Sequence, residues 1–318
     1  MSARVAIEPR GTLPVPRADD GASARRAAAI EAAVTAAGGV PTPAAEANAL
    51  VWLSVGDPAP LTAYLDEHPG IEWVQLPWAG VENFAAAGVF DRPVTFTCAK
   101  ASFAEQVGEH ALAQVLALYR HFVRQARSRR WTEVEPVSLF RKRVTVLGAG
   151  GTARALIRLL EPFGCRVRVL RRSGAPLGDT ETLPVSELPA VLPETDVLVL
   201  ALALTPQTRG IIGAAELALL PPSAVLVNVA RGAHVDTDAL TEALANGTIA
   251  GAALDVTEPE PLPDGHPLWD LDTVLVTSHC ADSFEFVTDQ LAARVRENVG
   301  RFRRGEPLDG LVDGSAGY

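Results

Sequence analysis

Short apolar runs alternate with stretches of helical periodicity along almost the whole chain. Before residue 98 the apolar runs lie at residues 5–7, 50–53, 71–76 and 94–97, with helical stretches between them. Strands that alternate with helices in this way pair in parallel. The N-terminal part of the chain is therefore predicted to form a small α/β domain.

A second set of strands and helices follows residue 101. A helical pattern extends over residues 101–129, with apolar positions on one face, and is the longest such pattern in the chain. Beyond it, apolar runs alternate with helices up to a final helix predicted over residues 284–303. We expect a complete dinucleotide-binding sheet of about six strands here. The predicted strands are residues 144–147, 167–170, 197–202, 225–229, 252–254 and 274–276.

A glycine-rich turn, G-A-G-G-T-A, lies between the first two strands of this second set. Gly148 and Gly150 permit a tight turn and let a pyrophosphate approach backbone N–H groups. Gly151 and Thr152 begin the following helix, and Ala153 stands where a third glycine is common. Because the turn connects a strand to a helix within a βαβ unit, we predict that it binds a dinucleotide.

Composition and charge limit the kinds of partner. Among 318 residues, 28 basic and 38 acidic side chains give a net charge of −10, which argues against nucleic acid or a membrane as the main partner. The chain has no apolar stretch long enough to span a bilayer and no apolar run typical of a signal peptide. Cys98, Cys165 and Cys280 are far apart, which favours free thiols. We therefore expect a cytoplasmic protein without a metal site.

Polar side chains follow the last three strands of the second set. Arg231 comes after the strand at residues 225–229, and Asp255 and Glu260 come after the next one. His279 follows the last strand. Because the carboxyl ends of parallel strands share one edge of a sheet, these side chains are expected to converge. Arginine binds carboxylates, and a histidine beside a carboxylate exchanges a proton near neutral pH.

Several segments together form a specific signature. They are NVARGAHVD at residues 228–236, GAALDVTEPEPLP at 251–263, LTPQTRG at 204–210 and GEHAL at 108–112. These segments resemble the D-isomer-specific 2-hydroxyacid dehydrogenase family, and the chain as a whole resembles its glyoxylate/hydroxypyruvate reductase branch. The resemblance covers nearly the whole chain and is most specific from residue 144 to residue 279.

The resemblance implies an α/β fold of two Rossmann-like or flavodoxin-like domains, each with a doubly wound parallel sheet. A substrate-binding domain would comprise residues 1–98 and 285–318, with a dinucleotide-binding domain, residues 99–284, inserted into it. A homodimer is implied as well, with the helix at residues 101–130 as the expected contact.

The resemblance also implies roles for the residues at the strand ends. Arg231 would bind the substrate carboxylate and polarise its carbonyl group, and His279 would donate the proton during reduction. Glu260 would pair with His279, while Asp255 would face the nicotinamide. The other implied cofactor contacts are Leu202, Ala203, Val229 and Ala230, besides Arg231 and His279 themselves. The implied substrate contacts are Trp78, Ala79, Gly80 and Trp52, the last of which could equally be a core aromatic.

The chain departs from the family pattern at four places. Arg171, Arg172 and Ser173 replace an acidic residue after the second strand, which predicts NADP(H) rather than NAD(H), although arginine can also stack on adenine in NAD(H). Ser278 replaces a proline before His279, so the backbone there is expected to be less rigid. The segment at residues 202–204 lacks a proline common beside the cofactor, and Gly108 replaces an alanine, which is expected to loosen its helix.

The predicted activity is hydride transfer between NADPH and a small 2-oxo acid or D-2-hydroxy acid, most simply reduction of glyoxylate or hydroxypyruvate. One alternative is a phosphoglycerate dehydrogenase, which the absence of a regulatory domain after Gly305 makes weaker. Another is a nicotinamide-sensing binding protein, similar to corepressors of this fold. Turnover of any 2-oxo acid separates the enzymes from the sensor.

Overall fold

The computed structural model describes residues 2–9, 22–54 and 56–314, apart from the side chains of residues 284 and 285. Within them strands and helices alternate. The strands are β1 (Arg4–Glu8), β2 (Val40–Pro41), β3 (Ala49–Trp52), β4 (Trp73–Gln75), β5 (Thr95–Thr97), β6 (Arg143–Leu147), β7 (Arg166–Arg171), β8 (Glu181–Pro184), β9 (Val197–Leu200), β10 (Val225–Asn228), β11 (Gly251–Leu254) and β12 (Val274–Val276). The helices are α1 (Ala22–Ala36), α2 (Ala59–Glu67), α3 (Glu82–Ala86), α4 (Ala104–Tyr119), α5 (Phe122–Arg127), α6 (Gly151–Leu160), α7 (Leu188–Val191), α8 (Ala214–Leu219), α9 (Thr237–Ala245) and α10 (Phe284–Arg304).

The chain divides into two compact units, the first formed by Met1–Phe103 with Asp282–Tyr318 and the second by Ala104–Ala281. The first unit contains a parallel sheet in the order β2-β1-β3-β4-β5. A buried polar network ties this sheet to α10, since Gln75 accepts hydrogen bonds from Thr97 at 2.8 Å and Asn298 at 2.9 Å. The predicted α/β fold is confirmed here, and β2 is an additional two-residue strand.

The second unit contains a parallel sheet in the order β12-β11-β10-β9-β6-β7-β8. Its central strands β9, β10 and β11 are buried throughout, as their apolar sequences require. The prediction of a six-stranded sheet is wrong, because β8 adds a seventh strand at the edge. Its sequence, ETLP, is half polar and ends in proline, which is typical of an edge strand and conceals it from a search for apolar runs.

The long helical pattern at residues 101–129 does not form one helix. It is divided into α4 and α5 by His121, whose φ of 51° is left-handed. The apolar periodicity continues across this break, so the pattern alone predicted a continuous helix. The longest helix within the described residues is instead α10, with 21 residues against 16 in α4.

None of the helices in the described part of the chain is long and apolar enough to cross a membrane. The three cysteines are free thiols, with Cys98 buried and Cys165 and Cys280 partly buried.

Candidate active site

The turn between β6 and α6 has two glycines with different surroundings. A Cβ atom on Gly148, whose φ is +109°, would lie 2.2 Å from the carbonyl oxygen of Ala201, so no larger residue fits. A Cβ atom on Gly150 would meet no described atom within 4 Å. Open space therefore lies in front of the first turn of α6, where unpaired backbone N–H groups favour an anion.

Small residues bring α4 close to the helix that begins at Gly151 and Thr152. A Cβ atom on Gly108 of α4 would lie 2.9 Å from the Cβ atom of Ala155 and 3.0 Å from the backbone nitrogen of Leu156. Ala153 on α6 is fully buried. α4 continues through Gly108, and the close packing at this position requires a residue without a side chain.

Two guanidinium groups lie at the carboxyl end of β7, beside this turn. Arg171 is the last residue of β7 and is partly buried, and Arg172 and Ser173 are exposed. The N–H group of Gly148 donates to the carbonyl oxygen of Leu170 at 2.8 Å, which places the glycine turn directly beside the end of β7. Positive charge is thus available next to the predicted pyrophosphate site.

The segments after β9 and β10 lie at the same edge of the sheet. Leu202 and Ala203 follow β9, and Val229 and Ala230 follow β10, which pairs with β9 in parallel. The buried imidazole of His234 holds these segments together. Its Nδ1 accepts from the N–H group of Arg231 at 3.2 Å, and its Nε2 lies 3.3 Å from the carbonyl oxygen of Ala203. The sequence signature contained His234, but sequence reasoning assigned it no role.

His279 and Glu260 form a close pair in the second unit. Nδ1 of His279 lies 2.6 Å from Oε1 of Glu260, and their side chains are 53% and 41% exposed, so a substrate can reach them. The hydrogen bond with Glu260 raises the pKa of His279 above its ordinary value; burial and the charge of Arg231 act in the opposite direction, and Asp255 adds to the increase. The charge of Arg231 thus acts on His279, and a substrate site shared by the two side chains stays a prediction.

The Arg231 loop rests directly on the chain that carries Glu260. A Cβ atom on Gly232 would lie 1.9 Å from the carbonyl carbon and oxygen of Thr257. The side chain of Arg231 is itself fixed by a 2.7 Å hydrogen bond from Nη1 to the carbonyl oxygen of Ala230. The relative positions of the predicted cation and carboxylate are thus determined by backbone packing.

Asp255 is buried and accepts hydrogen bonds through both carboxylate oxygens. Oδ1 accepts from Oγ1 of Thr277 at 2.6 Å and from the N–H group of Cys280 at 2.9 Å, while Oδ2 accepts from the N–H group of Ala281 at 3.3 Å. Nε2 of His110 lies 3.2 Å from Oδ1. The carboxylate is thus engaged by protein donors, and the contact with a nicotinamide stays a prediction.

His110, Asp255 and Cys280 also offer ligand atoms within 4.8 Å of one another. Sequence spacing did not predict this cluster, because the three residues lie on different elements. The Asp255 oxygens already accept hydrogen bonds from the protein, so we interpret the cluster as a hydrogen-bonded network. One feature of the sequence does indicate a buried polar contact here: His110 and Gln114 are polar residues four apart on an otherwise apolar face of α4.

The predicted substrate contacts belong to the first unit. Trp52 is buried in the core and packs against Tyr64, with ring centroids 5.8 Å apart. Ala79 and Gly80 follow Trp78 in the loop before α3, and Ala79 is exposed. The guanidinium carbon of buried Arg26 lies 5.7 Å from the centroid of the Trp78 ring, a contact that sequence reasoning missed.

Comparison with known proteins identifies relatives. Residues 112–281 match the family described as D-isomer specific 2-hydroxyacid dehydrogenase, NAD binding domain. Glyoxylate/hydroxypyruvate reductase A of Klebsiella pneumoniae (strain 342) is 32% identical over 284 residues, which is 83% of this chain and 89% of the relative.

Two solved structures also resemble this chain over its whole length. A D-isomer specific 2-hydroxyacid dehydrogenase from Xanthobacter autotrophicus Py2, in complex with NADPH and MES, is 30% identical with a TM-score of 0.83, and 100% of each chain is covered. An NADPH-dependent glyoxylate/hydroxypyruvate reductase from Sinorhizobium meliloti, in complex with NADP and sulfate, is 26% identical with a TM-score of 0.80, again with 100% of each chain covered.

Proposed function

The chain belongs to the D-isomer specific 2-hydroxyacid dehydrogenase family, and we propose that it is an NADPH-dependent reductase of a small 2-oxo acid, most simply glyoxylate or hydroxypyruvate. The observation that carries this proposal is the His279–Glu260 pair, 2.6 Å apart, with Arg231 acting on the same imidazole. The hydrogen bond with Glu260 raises the pKa of His279 and so favours the protonated imidazole, the form that a proton donor for carbonyl reduction requires.

The residues of the β6–α6 turn fit a dinucleotide. The proposed position of the pyrophosphate is the open space beside Gly150, against the first turn of α6. Arg171 and Arg172 at the end of β7 would neutralise a 2′-phosphate, so the proposed cofactor is NADPH, with NADH as a weaker substitute. When bound, this cofactor supplies the hydride.

The side chains of the site are proposed to bind the substrate, donate the proton and orient the proton donor. Arg231 holds the substrate carboxylate and opposes the negative charge that develops on the carbonyl oxygen. His279 donates a proton to that oxygen, and general acid catalysis of this kind contributes about 10²–10⁴-fold in rate. Glu260 orients the imidazole and favours its protonated form. Trp78, Ala79 and Gly80 are proposed to complete the substrate site, with backbone N–H groups offered to the carboxylate.

The test is the initial rate of NADPH and, separately, NADH oxidation with glyoxylate and with hydroxypyruvate. We expect turnover of both acids with NADPH and much slower turnover with NADH. Absence of turnover with any 2-oxo acid, in a protein that binds NADPH, would support the sensor instead.

Arg171 provides a specific test of the cofactor. Because Asp at this position would repel a 2′-phosphate and accept hydrogen bonds from ribose hydroxyls, Arg171→Asp is expected to reverse the preference from NADPH to NADH. The matched control is Arg166→Asp, an exposed position at the opposite end of the same strand. Steady-state kinetics with both cofactors should show a change of preference only in the first variant.

A homodimer is also proposed, through large apolar side chains that the second unit exposes. Phe122, Trp131 and Phe140 are 57%, 95% and 61% exposed, and such residues are typical of interfaces. Sedimentation velocity should give a dimer for the protein and a shift toward monomer for Trp131→Ser. A monomer at all concentrations would contradict this proposal.

We further propose a cytoplasmic location, which the free thiols support because disulfides are rare in reducing compartments.

A further inference from the structure

His279 has a backbone conformation that is unfavourable for a residue with a side chain. Its φ is 48°, in the left-handed region, and the residue before it is Ser278 rather than a conformationally restricted proline. Such conformations are strained for a residue with a side chain and persist only where the surroundings enforce them. Some contact other than a proline ring must therefore hold this segment.

The buried carboxylate of Asp255 contacts the chain on both sides of His279. Thr277 donates its hydroxyl to Oδ1, and Cys280 donates its N–H group to the same oxygen. The N–H group of His279 donates to the carbonyl oxygen of Asp255 at 2.8 Å. Asp255 thus clamps residues 277–281 in the conformation that places the His279 ring beside Glu260.

The clamp is held in turn by α4. Nε2 of His110 lies 3.2 Å from Oδ1 of Asp255 and 3.1 Å from Oγ1 of Thr277. The amide nitrogen of Gln114, one turn further along α4, lies 3.0 Å from the same hydroxyl and 3.1 Å from Nε2 of His110. Burial acts to raise the pKa of Asp255, but the hydrogen bonds from His110 and Thr277 outweigh it, so the carboxylate stays ionised.

We propose that His110 is a positioning residue for His279, which acts through Asp255 and Thr277 to hold the left-handed backbone that aligns the imidazole with Glu260. The predicted effect on the reaction rate rests on the proposed function, whereas the predicted effect on the position of the His279 ring does not. The charged groups that act on the His279 ring are Glu260, Arg231 and Asp255. If His110 is removed, the segment relaxes and the ring moves away from Glu260, while the three charges remain.

The test compares His110→Leu, which removes the ring nitrogens, with His110→Gln, which keeps an N–H group near the Nε2 position. Glu109→Gln, an exposed neighbour on α4, is the control. NMR titration of the six imidazoles in the protein without ligands follows His279 directly, with its signal assigned by its loss in His279→Asn. We expect the pKa of His279 to fall in His110→Leu, to recover in His110→Gln and to be unchanged in the control.

Kinetics with NADPH and glyoxylate give a second readout. A misplacement of about 1 Å can cost about 10²-fold, so we expect kcat of His110→Leu to fall by about that factor, with NADPH affinity nearly unchanged. An unaltered His279 titration in folded His110→Leu would overturn the inference. If that variant does not fold, the same His279 titration is measured in Thr277→Val, which removes the hydroxyl, and in Thr277→Ser, which keeps it. The pKa of His279 is then expected to fall only in Thr277→Val. Absence of turnover by the unaltered protein would refute the proposed function and leave the titration as an independent test.

Discussion

The balance of charges around His279 determines how its protonation responds to pH. The hydrogen bond with Glu260 raises the pKa of His279, and it outweighs burial and the positive charge of Arg231, which lower it. Because the folded-state pKa is raised, the pair stabilises the fold below the unfolded-state pKa, and this contribution disappears as pH rises through the folded-state value. Both side chains are about half exposed, so solvent screens the pair and its effect on stability is small.

The activity should therefore decline on the alkaline side. Reduction requires protonated His279, so kcat/KM for glyoxylate reduction is expected to fall as pH rises through the raised pKa. Glu260→Gln removes the largest cause of that increase, and we expect the alkaline limb to move to lower pH. The measurement is the pH profile of kcat/KM. Glu258→Gln, an exposed neighbour whose carboxylate pairs with Arg209, should leave the limb in place; an equal shift in both variants would contradict the assignment.

At the scale of elements, the two glycines of the β6–α6 turn have different surroundings and are expected to have different roles. Gly148 is required by the fold, because its left-handed backbone lies against the carbonyl group of Ala201. Gly150 has an ordinary φ of −74° and open space where a side chain would be, so nothing in the fold itself requires a glycine there. We therefore expect a side chain at this position to affect a ligand in that space more than it affects the fold.

Two alanine substitutions test this distinction. Gly148→Ala is expected to destabilise the protein by about 1–3 kcal/mol or more, since it adds backbone strain and a steric clash. Gly150→Ala should change stability by less than about 0.5 kcal/mol but weaken NADPH binding about tenfold, because its methyl group occupies the ligand space. Thermal denaturation and fluorescence titration with NADPH measure the two effects. Normal NADPH affinity in a folded Gly150→Ala protein would show that the cofactor does not occupy this space.

At the scale of the whole molecule, the second unit is formed by one continuous stretch of chain. Ala104–Ala281 contains the seven-stranded sheet and the apolar cores on its faces. The glycine turn, the guanidinium groups of β7 and the His279–Glu260 pair all lie in this stretch. The proposed substrate contacts, Trp78 to Gly80, lie in the other unit.

We therefore expect residues 104–281, expressed alone, to fold and to bind NADPH without reducing glyoxylate. Circular dichroism and fluorescence titration provide the measurement, with the full-length protein as the reference. Substantial glyoxylate reduction by the isolated unit would exclude a role for the Trp78 loop. An unfolded chain would show that the second unit depends on the first for stability.

The sequence by itself determined the features that depend on local order. Strands such as β6 and β10 follow from short apolar runs, and the glycine turn follows from a motif whose spacing is local. Arg231, Glu260 and His279 could be proposed as site residues because they follow parallel strands, whose carboxyl ends lie at one edge of the sheet. Their catalytic roles are still predictions.

The tertiary structure decided what depends on contacts between distant segments. The apolar periodicity continues across the break at His121, and the half-polar edge strand β8 has no apolar run, so the local pattern could reveal neither feature. His110 meets Asp255, far along the chain, only because α4 packs against the second sheet. Periodicity records which face of an element is buried, whereas the partner of that face is determined by packing of the whole unit.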